Sequence, residues 1–398
     1  MTAISNDTLA NIHFRLLWEE DGIRHQDGFY AQHVNLWRDV FPAGLDKSIL
    51  GLEPGGVARL RLEGGRHLPA VDGKQVVEVA RRNFRPPVEG IVPATGRFYP
   101  QGVLRGLPGV YPQNIKPFRV VRVDDDALVA DLNHPLAGVE AMLEIEPLEV
   151  WPKQAEFGGQ CQDWICALTD GPGLKRRNAA GTDFGMDGPL EKPMGAGDAA
   201  FYATPRKVPH VDSQARRNIE RLYGRLLKGR SRVLDLMAGW QSHLPEGLQA
   251  AGLGMNSEEM GENPALSSVV VHDLNADPTL PFGDRSFDAV VCSLSVEYLV
   301  RPVDVLREAA RVLDPGGLCV VVFSHRWFPD QAVRIWTELH EFERAAMVAE
   351  MFRLSGRFDA VATLSERGWP RPMDARDRYY PMVQHSDPVH AVWGTVSA

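Results

Sequence analysis

The spacing of hydrophobic positions changes partway along the chain. In the first 152 residues it has period two. Ala58, Leu60 and Leu62 alternate with Arg59, Arg61 and Glu63, and Ala141, Leu143 and Ile145 alternate with Glu144 and Glu146. Period two is the mark of a strand with one buried face. Phe118–Val123 and Ala127–Asp131 flank the run Asp124-Asp125-Asp126, which predicts a hairpin. Helical spacing is absent, and short strands cut by glycine and proline predict a barrel or a strongly curved sheet.

Beyond residue 200 two periods mix. Ile219, Leu222, Tyr223, Leu226 and Leu227 fall at i, i+3, i+4, i+7 and i+8, an amphipathic helix. Strand-like runs follow at Arg232–Met237, Val269–Leu274, Asp288–Ser293 and Leu318–Ser324. The helical stretch Val303–Leu313 is stopped by Asp314-Pro315-Gly316-Gly317. Strands alternating with helices predict a parallel, doubly wound α/β sheet. The expected fold class is therefore multi-domain: a β-rich domain over 1–152 and an α/β domain over 201–398. Between them, 153–200 holds nine of the 37 glycines. A structureless run of that length is out of place in a compact protein, so the segment reads as a wrapped connector or a lid over a site.

Composition narrows the classes. With 44% hydrophobic and 24% charged residues, the 398-residue chain is an ordered globular one, neither collagen-like nor coiled coil. A net charge of −9 argues against nucleic acid as a partner. The basic stretch 206–232 reads as a solvated helix face. No apolar run approaches the ~18 residues of a membrane span. The first residues lack the basic-then-apolar order of a signal peptide. Four cysteines are too few for a disulfide framework, and the CxxxxC spacing of Cys161 and Cys166 has no second pair to complete a zinc site. The expectation is a cytoplasmic protein without a metal. Glycine and proline together make 66 of 398 residues, above average usage, and should mark its joints.

Five elements of the second half carry chemistry. Asp235-Leu236-Met237-Ala238-Gly239-Trp240-Gln241 follows the first strand, where a small-residue turn brings backbone N–H groups close to a ligand. Gly252-Leu253-Gly254-Met255-Asn256-Ser257-Glu258-Glu259-Met260 comes about 20 residues on, at a distance that suits contact with ribose hydroxyls. Asp273-Leu274-Asn275 closes the third strand. Leu280-Pro281-Phe282 precedes the fourth, and Arg311-Val312-Leu313-Asp314-Pro315-Gly316-Gly317 leads into the fifth.

This ordered set resembles the class I S-adenosylmethionine (SAM)-dependent methyltransferases over roughly residues 205–398. The resemblance implies a Rossmann-like fold, SAM as cofactor and methyl transfer as the reaction. It places cofactor contacts at Asp235, Met237, Gly239, Asn256, Asp273, Leu274 and Ser293. Met237 and Gln241 stand where the family has the outer two of three glycines, and Asn256 where it has an acid. The amide-directed Asp/Asn-Pro-Pro-Tyr turn is replaced by Ser293-Leu294-Ser295-Val296-Glu297-Tyr298, which disfavours amide and base acceptors. Alignment of donor and acceptor is the main task, with a base needed where the nucleophile starts protonated. His243, Glu297, Tyr298 and His325 are the candidates for substrate contact or base. Phe201, Tyr202, Arg206 and His210-Val211-Asp212 are candidates for a cap. The acceptor is expected to be a small molecule, a peptide or a protein.

In the first half, Asn133-His134-Pro135-Leu136-Ala137-Gly138 leads into the strand 139–150. This turn resembles the SlyD-type branch of the FKBP peptidyl-prolyl isomerases, over about residues 9–151 with an insert at about 83–132. The resemblance implies a proline-containing peptide as partner, held in an aromatic pocket. Phe29, Tyr30, Trp37, Phe41 and His134 are the candidate lining, with Asp27 as the pocket acid. The flap tyrosine of that family falls at Leu68. Three readings follow: a methyltransferase with a peptide-binding domain, a folding helper with a vestigial methyltransferase half, or a binding module with both halves inactive.

Overall fold

The computed structural model describes residues 2–155, 161–177, 181–193 and 197–397. The chain forms two compact units, Met1–Asp21 with His25–Phe184, and Gly22–Arg24 with Gly185–Ala398.

The first unit is built on an antiparallel sheet. Strands β1 (Thr8–Glu20), β2 (Ile23–Val34), β3 (Ala58–Leu62) and, after an insert, a long strand Ala141–Pro152 lie in the order β2, β1, Ala141–Pro152, β3. Phe14 faces Ile145 and Leu16 faces Leu143 across one pair, and Leu60 faces Leu143 across the next. Ala10, Ile12, Phe14, Leu16 and Trp18 are all buried, the alternation expected of half-buried strands. Helix α1 (Leu45–Ile49) adds Leu45 and Ile49 to this core.

The insert is a second antiparallel sheet with its own core. It contains β4 (Val76–Ala80), β5 (Phe98–Pro100), β6 (Pro117–Val123) and β7 (Ala127–Asp131) in the order β4-β7-β6-β5. Phe84, Tyr99, Phe118, Val120 and Leu128 pack inside it. The predicted hairpin is β6–β7, whereas the sheet starts at Val76, earlier than the predicted residue 83. The long strand Ala141–Pro152, β8, follows.

The segment expected as a connector is shared out, and the division falls between Phe184 and Gly185. Helix α2 (Trp164–Thr169) belongs to the first unit because its apolar side chains complete that core. The Trp164 ring centroid lies 6.1 Å from those of Phe14 and Phe29, and its Nε1 donates to Asp39 Oδ2 at 2.9 Å. Lys175 is almost wholly buried and donates Nζ to the Gln26 carbonyl at 2.8 Å. Arg176 forks onto Glu20 at 2.7–3.0 Å. Gly158, Gly159 and Gly195 lie outside the described residues.

The second unit is the expected doubly wound sheet. After α3 (Asp198–Tyr202) and α4 (Ser213–Leu226), the strands are β9 (Val233–Leu236), β10 (Ala250–Gly254), β11 (Leu266–Val271), β12 (Phe287–Ser293), β13 (Leu313–Phe323), β14 (Phe358–Arg367) and β15 (Val389–Val396). Helices α5 (Ser257–Gly261), α6 (Pro302–Val312), α7 (Arg334–Glu338) and α8 (Glu341–Ser355) are set among them. The order is β11-β10-β9-β12-β13-β15-β14. β11, β10, β9, β12 and β13 pair in parallel, and β15 runs antiparallel between β13 and β14. The direction of winding reverses between β9 and β12, which opens a crevice at their carboxyl ends. Val233, Ala289, Val291 and Val320 of these strands pack against Ala215, Ile219, Leu222 and Tyr223 of α4.

Candidate active site

The crevice at that switch point is lined by the loop Met237–Gln241 after β9, by Asn256 and Glu259 after β10, by Asp273 and Leu274 beyond β11, and by Ser293 after β12. Met237 adopts a left-handed conformation (φ 56°), which costs a side chain something and a glycine nothing. The first position of the family's glycine run therefore keeps its bend without its glycine.

Three polar residues hold this loop. Asp235 is 4% exposed and lies beneath the loop rather than on the crevice wall. It accepts from Ser242 Oγ at 2.6 Å. Asn263 Nδ2 donates to Ser242 Oγ at 3.0 Å and to the Gly239 carbonyl at 2.9 Å. Burial pushes the Asp235 carboxyl up to about 6, and the Ser242 hydrogen bond offsets part of the rise. Asp235, expected as a cofactor contact, is held in the structure against Ser242 under the loop that lines the crevice. Gly254 is needed for another reason, since a Cβ there would collide with the Ala238 carbonyl.

Asn256 lines the crevice, but its side chain already has partners. Its oxygen accepts from Glu259 N at 3.0 Å as the N-cap of α5, and its Nδ2 donates to the Tyr202 carbonyl at 2.9 Å. The carboxylate on this wall is Glu259, whose role the sequence pattern did not single out. Its Oε1 accepts from Arg206 N at 2.5 Å, and its Oε2 lies against Gly239. Asp273 Oδ1 accepts from Asn275 N at 2.9 Å and fixes the turn after β11. Ser293 Oγ lies 2.7 Å from Tyr223 Oη.

One wall comes from 198–210. Asp198 joins Lys192 Nζ (2.6 Å) to Asn275 Nδ2 (2.7 Å), and Asn275 Nδ2 also donates to the Tyr298 carbonyl. Asp198, Tyr202, Arg206 and His210 all line the crevice, whereas the other cap candidates do not: Val211 and Asp212 line the groove beside it, and Phe201 lines neither. Phe201 meets Phe328 edge to face, with ring centroids 5.4 Å apart, and lies beneath the Arg206 guanidinium at 3.8 Å.

The four predicted catalytic residues separate. His243 lines the crevice, and burial depresses its imidazole to about 3, so the ring is neutral. Tyr298 lines the crevice, and its hydroxyl accepts from Phe328 N at 3.0 Å. Glu297 is 1% exposed and lines neither the crevice nor the groove beside it. Burial pushes its carboxyl up to about 8, so it is protonated at neutral pH. The short 3-10 turn 296–298 sends these two neighbours in different directions. His325 lies outside the crevice, in an adjoining groove of about 1190 Å³, with Nε2 at 3.5 Å from Asp387. His210, Gln241, Tyr298 and Phe328 line both cavities. They stand at the border between the two.

Two buried polar atoms on the crevice wall, His243 Nδ1 and Tyr202 Oη, have no hydrogen-bond partner among the described residues. Such atoms cost stability unless something else meets them. The predicted aromatic-pocket residues lie in the first unit. Phe29 is covered by Trp164, His134 Nε2 is 3.6 Å from Asp170, Leu68 is buried and Trp37 is exposed. Among the described residues no group of three or more His, Cys, Asp or Glu is placed to hold a metal. No helix among them is long and apolar enough to cross a membrane.

Residues 249–321 match the family described as methyltransferase domain. The chain is 33% identical over 139 residues to the ubiquinone/menaquinone biosynthesis C-methyltransferase UbiE of a Ruegeria species, covering 35% of this chain and 49% of that protein. It is 33% identical over 150 residues to the demethylmenaquinone methyltransferase of Renibacterium salmoninarum, covering 35% and 60%. The chain thus spans about half to three-fifths of these curated relatives. Among solved structures it resembles a SAM-dependent methyltransferase from Archaeoglobus fulgidus (15% identity, TM-score 0.33, 45% of this chain and 94% of that one). It also resembles the CurJ carbon methyltransferase (14%, TM-score 0.32, 48% and 57%). The similarity to that family therefore falls in the second half of the chain.

Proposed function

We propose that the chain is a SAM-dependent methyltransferase whose second unit binds cofactor and acceptor in adjoining cavities. The observation that carries this is the meeting of the sequence elements around one crevice. The loop after β9, the Asn256–Glu259 cap, Asp273-Leu274 and Ser293 all line it, with His243 Nδ1 and Tyr202 Oη left for a ligand. This donor set suits an adenosine carrying an amino acid: carboxylate and amide groups for hydroxyls, apolar Leu253, Leu274 and Leu299 for the base, and backbone N–H groups of a tight loop.

SAM, when bound, supplies an electrophilic methyl group on a sulfonium. The chain's part is to align, to exclude water and to receive a proton. Glu259 and Asp273 would hold the cofactor's polar groups. Tyr298 and Phe328, stacked with centroids 6.1 Å apart, narrow the border between the cavities and keep it dry. Burial lowers the pKa of His210, so its ring is neutral at that border and free to accept a proton from an acceptor that starts protonated. The acceptor is a small molecule, a peptide or a protein. The named relatives would make it a quinone precursor. Calorimetric titration with SAM and S-adenosylhomocysteine tests the reading; no heat at high micromolar ligand overturns it.

The first unit supports a second proposal, an FKBP/SlyD-like peptide-binding role. A four-stranded sheet is inserted between β3 and β8, and the Asn133–Gly138 turn re-enters at β8. Isomerase activity is not expected, because Leu68 cannot donate a hydrogen bond and Trp164 fills the space over Phe29. A proline-peptide isomerisation assay on the full chain should run at background.

A further inference from the structure

We infer that the groove beside the crevice takes a methyl acceptor bearing carboxylates. The inference rests on the proposal that the crevice holds SAM. Nine of the groove's lining residues are arginine or aspartate, an unsuitable wall for an uncharged apolar molecule.

Its acids are already occupied. Arg371 is 2% exposed and meets Asp212 at 3.5 Å, Asp377 at 2.5 Å and Asp387 at 2.6 Å. Asp212 and Asp387 also accept each other's backbone N–H, at 2.6 and 2.8 Å. Asp374 is held by Arg376 at 2.9 Å. These four carboxylates have little left for a ligand.

The cations are not used up to the same degree. Arg326 has one partner at close range, Asp387 at 2.9 Å, and its Nε is buried with no hydrogen-bond acceptor. Arg378 makes no ion pair among the described residues and rests on the Tyr379 ring at 4.8 Å. Arg326 stacks on the same ring at 4.3 Å. Arg216 is held only loosely, 3.7 Å from Glu220. Arg326 and Arg378 thus share the ring of Tyr379 and keep donors for a planar anion, the geometry in which guanidinium and carboxylate pair best. The acceptor's reactive atom then reaches the crevice across the border at His210, Gln241, Tyr298 and Phe328.

The test uses the full chain saturated with S-adenosylhomocysteine. Three probes are titrated calorimetrically: N-acetylated hexaglutamate, tricarballylate, and menadiol as an uncharged aromatic control. At least one carboxylate probe should bind, more weakly as salt rises. Arg326→Gln and Arg378→Gln should each lower its affinity about fivefold to tenfold, with S-adenosylhomocysteine affinity unchanged. Arg378 is exposed, so its variant separates lost binding from lost folding. Hexaglutamate binding alone points to a polypeptide acceptor, tricarballylate binding alone to a metabolite. Failure of both carboxylates, or binding unmoved by both variants, overturns the inference. Failure of S-adenosylhomocysteine to bind the wild type overturns the cofactor reading instead, and the same titrations on the unloaded chain still judge the groove.

Discussion

The Ser242 hydroxyl donates to the Asp235 carboxylate at 2.6 Å, and through this bond a buried acid helps to set the shape of the loop Met237–Gln241. Asn263 ties the same hydroxyl to the Gly239 carbonyl. Asp235→Ala should lower S-adenosylhomocysteine affinity more than Asn256→Ala does. Ser242→Ala should reproduce a part of the loss. The readout that separates positioning from contact is the bound complex's salt dependence, which should be unchanged in Asp235→Ala. Equal affinity in the Asp235 and Asn256 variants would mean that the loop is held by other means.

Glu259 lines the crevice, as do Asp198 and Asp273. Glu259→Gln keeps the acceptor for Arg206 N and the cap of α5 but removes the charge, so folding should be little changed. Affinity for S-adenosylhomocysteine should fall about tenfold, the cost of one charge-assisted hydrogen bond. An unchanged dissociation constant would show that Glu259 faces the crevice without contacting the cofactor.

Two buried acids give stability a pH dependence of definite sign. Burial raises Asp235 to about 6 and Glu297 to about 8, both above ordinary carboxyl values. A raised native pKa means that the folded state binds more protons, so stability is greatest below about pH 4 for these groups. The contribution is lost as pH climbs from there through about 6 for Asp235 and through about 8 for Glu297. Glu297→Gln should therefore gain on the wild type as pH rises from about 5 to about 9 in urea unfolding. A constant difference across that range would mean that Glu297 is not protonated in the fold.

Much of the fold was legible because burial writes a period into the chain. Leu60 and Ile145 on strands, and Ile219 and Tyr223 on α4, showed their elements directly. The site was legible only in its loops. Met237 kept the bend of a glycine at φ 56°, so the loop holds its shape at a position where the sequence departs from the glycine pattern. The Asp235–Ser242–Asn263 chain was hidden, because its members are joined by hydrogen bonds across strands and leave no spacing. Glu259 had a signal: Asn256 and an acid three residues on form a capping-box pattern. Here that acid turns instead to Arg206 N and Gly239. Glu297 misled through its position beside Tyr298, since adjacent residues on a tight turn need not share a face.

The last prediction concerns the glycine-rich stretch that looked like a connector. Trp164 is 5% exposed, packs on Phe14 and Phe29, and donates to Asp39. If it is core, Trp164→Ala should cost about 3–5 kcal/mol of the first unit's stability. Trp164→Phe, which keeps most of the packing and loses the indole donor to Asp39, should cost only about 1–3 kcal/mol. Limited proteolysis supplies a local readout, with cleavage near α2 faster in Trp164→Ala than in Trp164→Phe and the wild type. A loss below about 1 kcal/mol in Trp164→Ala would return the segment to the class of surface straps. It would also reopen the space over Phe29 as a peptide site, and the isomerisation assay would then have to be repeated on that variant.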